Sequence, residues 1–273
     1  MVYDSAGKTI ENRESKIENL MSAALSAKAF TVSFRFHGDL SFFLPKENRG
    51  TAIAKTLYEK TSVKDAIESC GVPHPEVDLI YCDGGAVPFE HLLTEDAVVD
   101  VHGLTDSPVK RGEGLQQRRI TKFIADGHLG KLARDLRLLG FDVAYEPDAS
   151  DSSLAGSCSD DRALLTRDRR LLMHKIVRHG YCPRSSDPDE QIIEVIRRFD
   201  LAELVTPYSR CVRCNGLLVK VNKADVVDQL EPLTKIHYDD FRRCTDCGQI
   251  YWSGSHFGKL EARLEKIRTS LTL

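Results

Sequence analysis

Between residues 120 and 168 two short apolar runs each close on a carboxylate, and leucines at helical spacing follow the first. Phe123-Ile-Ala ends in Asp126, after which Leu129, Leu132, Leu136 and Leu139 recur at intervals of three and four, the period of an amphipathic helix. Gly140 sits where a left-handed C-cap belongs, and Phe141 to Tyr145 alternates like a strand. Ala163 to Thr166 is a third short strand, closing on Asp168. Strands alternating with helices predict a parallel sheet, whose strands all end along one rim. Asp126 and Asp168 are thereby expected at that rim. Two carboxylates gathered there repel unless a cation lies between them, and hard dications prefer oxygen ligands. The same residues would serve equally as N-caps of the helices that follow, so pattern alone leaves both readings open.

Separated motifs narrow the choice. The stretch from Phe123 to Tyr145, the run Leu164-Leu-Thr-Arg-Asp168, then Arg210-Cys-Val-Arg-Cys-Asn215 and Tyr251-Trp-Ser-Gly-Ser-His256 together resemble the mut-seven carboxyl-terminal RNase family, a branch of the PIN-like nucleases. The resemblance covers residues 120–258. It implies a metal-dependent ribonuclease on a PIN-like α/β domain, with acidic ligands at the strand ends holding Mg²⁺ or Mn²⁺. Asp126 and Asp168 fall on those positions and Asp151 on a third. The segment around Asp151 departs from the pattern, with Ser and Gly in place of better helix formers, and Asp148 could take its role.

Two Cys-x-x-Cys pairs, Cys211/Cys214 and Cys244/Cys247, are the strongest local chemical signal. Each loop sets two thiolates on adjacent corners of a tetrahedron, and two loops complete a closed structural Zn²⁺ site, a zinc ribbon. Asn215 and Gly248 follow the pairs where a turn needs positive φ. The long spacer between the pairs implies an inserted hairpin or loop over Lys220 to Tyr238. A redox dithiol is the less favoured alternative. The other four of the eight cysteines, Cys70, Cys82, Cys158 and Cys182, read as small buried hydrophobes.

Upstream, Phe30 to Phe36 alternates, Gly38-Asp39 suggests a turn, and Leu40 to Leu44 a second strand. Ser62-Val-Lys-Asp65 opens a helix through Cys70, which Gly71 and Pro73 terminate. Val77 to Cys82, an Asp83-Gly-Gly hairpin and a strand over Asp96 to Val101 complete a unit that resembles a ubiquitin-like β-grasp. Sulfur carriers share that fold but act through a free C-terminal Gly-Gly, whereas this chain runs on, so carrier chemistry is rejected. A protein-, ribosome- or RNA-contacting module and a purely stabilising one remain. The expected organisation is a polar leader (1–27), a separate β-grasp domain (28–104), a linker (105–119), a PIN-like parallel-sheet nuclease domain (120–206), a zinc ribbon (207–258) and a C-terminal helix (259–273).

With 41% hydrophobic and 29% charged residues, no apolar run long enough for a bilayer and no secretory signal, the expected setting is cytoplasmic. A net charge of −3 gives no global attraction to nucleic acid, so RNA needs a local patch. Arg169, Arg170, Lys175 and Arg178, spaced around Leu171, Leu172, Ile176 and Val177, suggest an amphipathic helix with a cationic side. Together with Arg167, with Arg134 and Arg137 on the first helix, and with His256, they form the expected RNA contacts. Arg167 or Arg169 would neutralise transition-state charge. Asp135 reads as an ion-pair partner and Asp142 as structural. Asp187-Pro188 opens another helix, on which Gln191 reads as exposed. The leading function is a divalent-metal-dependent ribonuclease; the alternative is a non-catalytic RNA- or ribosome-binding adaptor.

Overall fold

The computed structural model describes residues 29–104, 114–254 and 257–272. The first unit runs β1 (Phe30–His37), a 3-10 segment (Gly38–Phe43), β2 (Ile53–Leu57), β3 (Thr61–Ser62), α1 (Val63–Ser69), β4 (Val77–Cys82), β5 (Gly85–Ala86), β6 (Leu92–Leu93) and β7 (Ala97–Gly103). Its main sheet has the order β2-β1-β7-β4-β5, with β1 and β7 parallel at the centre and antiparallel strands outside, a β-grasp arrangement. Val32, Phe34 and Phe36 alternate inward to meet Val63, Ala66 and Ile67 of α1. Ser62 begins the helix as expected, its hydroxyl accepting the Asp65 amide at 3.1 Å.

The expected strand over Leu40 to Leu44 is corrected. That segment is the 3-10 turn, and the antiparallel partner of β1 is Ile53–Leu57. Leu40 and Phe43 stand three residues apart and are both buried, on one face of the 3-10 turn.

The second unit runs β8 (Lys122–Ala125), α2 (Gly130–Leu138), β9 (Asp142–Tyr145), α3 (Asp151–Gly156), β10 (Arg162–Leu165), α4 (Arg169–Leu172), β11 (Gly180–Tyr181) and α5 (Pro188–Phe199). Its sheet, β11-β10-β8-β9, is parallel throughout. From β8 the chain crosses to β9 on one side and later returns to β10 on the other. The strand order thus reverses between β8 and β10, the switch point at which open α/β sheets bind ligands. Gly140 ends α2 at φ 98°, and Asp187 caps α5 by accepting the Asp189 and Glu190 amides.

Past Asp168 the expected amphipathic helix is corrected to one turn, α4, after which the chain bends towards β11. Leu171, Leu172 and Val177 are buried, but Ile176 is half exposed, so no continuous helical face forms. Gln191 is also corrected: it is largely buried and donates to the Ser185 carbonyl at 2.9 Å.

The ribbon contributes β12 (Leu218–Val221), β13 (Phe241–Cys244) and β14 (Ile250–Trp252) in an antiparallel sheet of order β12-β13-β14. Between β12 and β13 lies an insertion of short turns and α6 (Pro232–His237). Then α7 (Phe257–Thr272) returns to the second unit, burying Leu264 and Ile267 in its core.

The first and second units share one apolar cluster. Phe43 and Val72 of the first belong to it with Leu171, Leu172, Val177 and Cys182 of the second. Across the same boundary Arg184 makes a two-pronged pair with Glu76 (3.0 and 2.8 Å) and reaches Asp39 at 3.1 Å. Burial works against that guanidinium's charge, but Glu76 holds its pKa above the ordinary value. The far end of the expected linker is also docked: the Leu115 amide donates to the Asp78 carbonyl, and buried Gln116 donates to the His74 and Val77 carbonyls. Among the described residues no helix is long and apolar enough to cross a membrane.

Candidate active site and metal centre

Asp126 and Asp168 follow the ends of β8 and β10, flanking the switch point. Fully buried Thr166 joins them: its hydroxyl donates to Asp126 Oδ2 at 2.7 Å and accepts the Asp168 amide at 2.9 Å. Asp168 Oδ1 caps α4, accepting the Arg170 amide at 2.7 Å and the Leu171 amide at 3.2 Å. Asp126 opens a 3-10 turn, yet its side chain takes no cap bond. Asp126 Oδ1 and Asp168 Oδ2 therefore have no partner among the described residues. The role of Thr166 is the part of the site that sequence reasoning missed. Its signal was a hydroxyl two residues before an acid at a strand end.

Asp151 opens α3, in the segment that follows β9, the neighbour of β8 in the sheet. It is exposed in the first turn of α3, behind Ser150, whose hydroxyl accepts the Ser153 amide at 3.3 Å. Asp148, in the loop before it, is exposed as well. Among the described residues, the only three or more His, Cys, Asp or Glu side chains with donor atoms close enough to share an ion are the four ribbon cysteines. Asp151 is thus not gathered with Asp126 and Asp168 into a compact triad.

Several expected RNA contacts have other work. Arg137 is buried and donates to the Val143 carbonyl (2.9 and 2.8 Å) and to the Val212 and Arg213 carbonyls (3.3 and 3.1 Å). Burial also lowers its pKa. Arg167 donates to the Pro183, Arg184 and Ser185 carbonyls, pinning the loop before α5. Arg169 donates to the Phe43 and Phe42 carbonyls and lies over both rings, so it clamps the two units together. Arg137 is corrected from an RNA contact to a structural cation, because it is buried and carbonyls from distant segments use its donors, whereas Arg167 and Arg169 stay exposed and hold carbonyls with part of their donor sets. Arg178 pairs with Asp160 at 2.9 Å on the open surface. Arg134, Arg170 and Lys175 are exposed and their side chains have no partner among the described residues. His256 lies outside the described residues.

The four ribbon cysteines form a cage. Their sulfurs all lie within 4.8 Å of one another, with Cys211 and Cys247 3.7 Å apart and Cys214 and Cys244 3.4 Å apart. A tetrahedron with Zn–S bonds of about 2.3 Å has edges of about 3.8 Å, so the set could hold a structural zinc ion. The Tyr251 hydroxyl stands 3.0 Å from Cys211 Sγ. Asn215 and Gly248 adopt φ of 75° and 73°, as the two turns require.

The cage is tied to the sheet. Arg137 bridges its first knuckle to β9, while Asn215 accepts the Val143 amide at 3.0 Å and donates to Asp142 at 3.0 Å. Asp142 also receives Arg162 at 3.0 Å and Arg210 at 3.5 Å. Burial opposes ionisation of that carboxyl, but the bonds from Arg162 and Asn215 outweigh it and lower its pKa. Asp142 is a structural hub. Asp135 is paired with Lys131 at 2.9 Å and with Arg263 of α7 at 3.0 and 2.8 Å.

A β-grasp unit, a parallel-sheet unit with acids at its switch point and a four-cysteine ribbon define a nuclease-type architecture. The Mut7-C RNAse domain model matches residues 121–264, and the Mut7-C ubiquitin model matches residues 29–107. The chain belongs to the Mut7-C RNase family, with the ubiquitin-like domain in front. No curated protein and no solved structure matches it.

Proposed function

We propose that the chain is a ribonuclease that hydrolyses RNA phosphodiester bonds with Mg²⁺ or Mn²⁺ held by Asp126 and Asp168. One observation carries the reading. Two carboxylates from separate strand ends meet across the Thr166 hydroxyl at the switch point, each with one oxygen that has no partner among the described residues. Two carboxylates suit Mg²⁺, which is commonly bound by one or two of them together with substrate phosphate oxygens and waters. Such an ion, when bound, supplies a Lewis acid and an activated water.

The chain's own residues do the rest. Thr166 fixes the Asp126 carboxylate, and the amides of α4 fix Asp168. Arg170 and Lys175, whose side chains have no partner among the described residues, offer cations to the phosphate backbone near Asp168, beside the partly engaged Arg167 and Arg169. The ribbon takes one structural Zn²⁺, and Asp151 or Asp148 is the third acid of the site.

The adaptor reading keeps one observation in its favour: Asp168 already works as a helix cap. Substitution separates the two. Asn retains an acceptor oxygen and can still cap, but it is a poor ligand for a hard dication. Asp126→Asn and Asp168→Asn are expected each to abolish cleavage of end-labelled single-stranded RNA while RNA binding holds or tightens slightly. The double variant falls no further, because the two act as a unit. Wild-type rates in both variants, or no cleavage by the unaltered protein with either metal, would put the adaptor first.

A further inference from the structure

A cavity of about 650 Å³ opens between α2, the ribbon sheet and α7. Its floor is apolar, with Leu138 and Leu218 among its walls, and Tyr251 and Trp252 stand beside it. Trp252 is 40% exposed, unusual for so large an apolar surface at a strand end. Gly254 packs at its edge, where a Cβ would stand 3.0 Å from the indole nitrogen, so glycine leaves that ring uncovered.

The walls carry Lys131, Arg134, Arg210 and Arg242 against Asp135 and Asp240; of the four cations Arg210 faces Asp142 at 3.5 Å, and Arg242 gives one donor to the Tyr208 carbonyl at 2.8 Å. Asp135 is already neutralised by Arg263 and Lys131, and Asp240 pairs with Lys220 at 3.3 Å. Arg134 has no partner among the described residues. Arg134 and Arg242, neither paired with an acid among the described residues, therefore leave the cavity wall with a net positive charge in a chain whose net charge is −3.

Exposed aromatic faces inside a cationic groove are what unpaired bases and their phosphates use; a duplex keeps its base faces stacked within itself. We propose that this cavity seats a single-stranded RNA segment, with a base on the Trp252 indole and its phosphates on Arg134 and Arg242. The proposal rests on the reading of the chain as an RNA-acting enzyme and names the substrate's conformation and path. Arg134 lies in the second turn of α2, the helix that starts four residues after Asp126, so a strand leaving the cavity along α2 heads towards the acids.

Trp252 is the chain's sole tryptophan and so reports on its own site. The full chain is titrated with an eight-nucleotide oligouridine in buffer without added Mg²⁺ or Mn²⁺, following Trp252 emission and the anisotropy of a labelled oligonucleotide. Both are expected to change together and saturate together, in Asp126→Asn as in the unaltered protein. Trp252→Leu is expected to weaken binding about tenfold, in keeping with loss of one base–aromatic stack. Arg134→Gln is expected to weaken it a few-fold and flatten its salt dependence. Circular dichroism checks that both variants fold, and the titration of the unaltered protein stands even if one does not.

If the oligonucleotide binds while Trp252 emission is unmoved and both variants bind as the unaltered protein does, the cavity is not the RNA seat, and the ribonuclease reading survives. Equal quenching by double-stranded RNA would overturn the single-strand claim. Equal quenching by an oligoglutamate peptide would make the cavity a protein-docking site. No binding by an unaltered protein that still cuts RNA would remove the cavity alone; neither binding nor cutting would remove both readings.

Discussion

Thr166 is the smallest group on which the candidate site depends. Its one hydroxyl donates to one acid and accepts from the backbone of the other, so removing it frees the Asp126 carboxylate and takes a partner from the half-buried Asp168 amide. Thr166→Val should cost about 1–3 kcal/mol of stability, read as a shifted denaturant midpoint. It should also lower RNA cleavage at least about tenfold, the equivalent of roughly 1.4 kcal/mol in the barrier, whereas Thr166→Ser should restore most of both. Loss of stability with unchanged cleavage would make Thr166 a core residue only. Asp135 gives a pH prediction at the same scale. Burial opposes its charge, but the bonds from Arg263 and Lys131 prevail and lower its pKa from the ordinary 3.8. The folded state thus favours the ionised form, and the unfolded chain binds the proton more readily. The resulting stability is complete above the unfolded value of about 4 and is lost as pH falls through the lowered one. Asp135→Asn should therefore lower stability at neutral pH, and its gap from the unaltered protein should close as pH falls through the lowered pKa. A gap independent of pH in chemical denaturation would refute the assignment.

Among the elements, the ribbon and β9 behave as neighbours held by polar bolts rather than by a shared core. Arg137 and Asn215 connect the first cysteine knuckle to Val143 and Asp142. Structural zinc contributes directly to folding free energy, so its removal should be felt beyond the ribbon. Chelation is expected to release about one zinc per chain and to speed amide exchange at Val143 as well as in β12 and β13, while exchange in β1 and β7 stays slow. Hydrogen exchange read by mass spectrometry checks this; fast exchange confined to the ribbon would mean the bolts carry no load. The same elements show what a sequence can disclose. Caps were legible because their chemistry is local: Ser62, Gly140 and Asp187 each act within a few residues. The acids at the ends of β8 and β10 were legible because a parallel sheet fixes where strands end. Leu40 to Leu44 was not, since two apolar residues three apart suit a 3-10 turn as well as a strand covered on both faces, and no local pattern chooses between them. Nor were Arg137, Arg167 and Arg169, whose carbonyl partners come from distant segments that no local pattern announces.

Across the whole molecule the β-grasp and nuclease units are joined by a common apolar cluster, by Arg169 over Phe42 and Phe43, and by Arg184 held between Glu76 and Asp39. A protease site inserted after Asp106 should therefore yield two pieces that still co-elute as one species in gel filtration. A chain expressed from residue 114 alone should bind a hydrophobic dye and melt well below the intact protein. Separation of the pieces, or a fragment as stable as the whole, would show that the boundary holds little energy. Arg184 sets a further condition on kinship and engineering. A guanidinium so deeply enclosed, paired with Glu76 and Asp39 of the other unit, makes the two halves a matched pair. A chimaera that takes its front half from another family member must bring equivalents of Asp39 and Glu76, or Arg184 must be replaced at the same time.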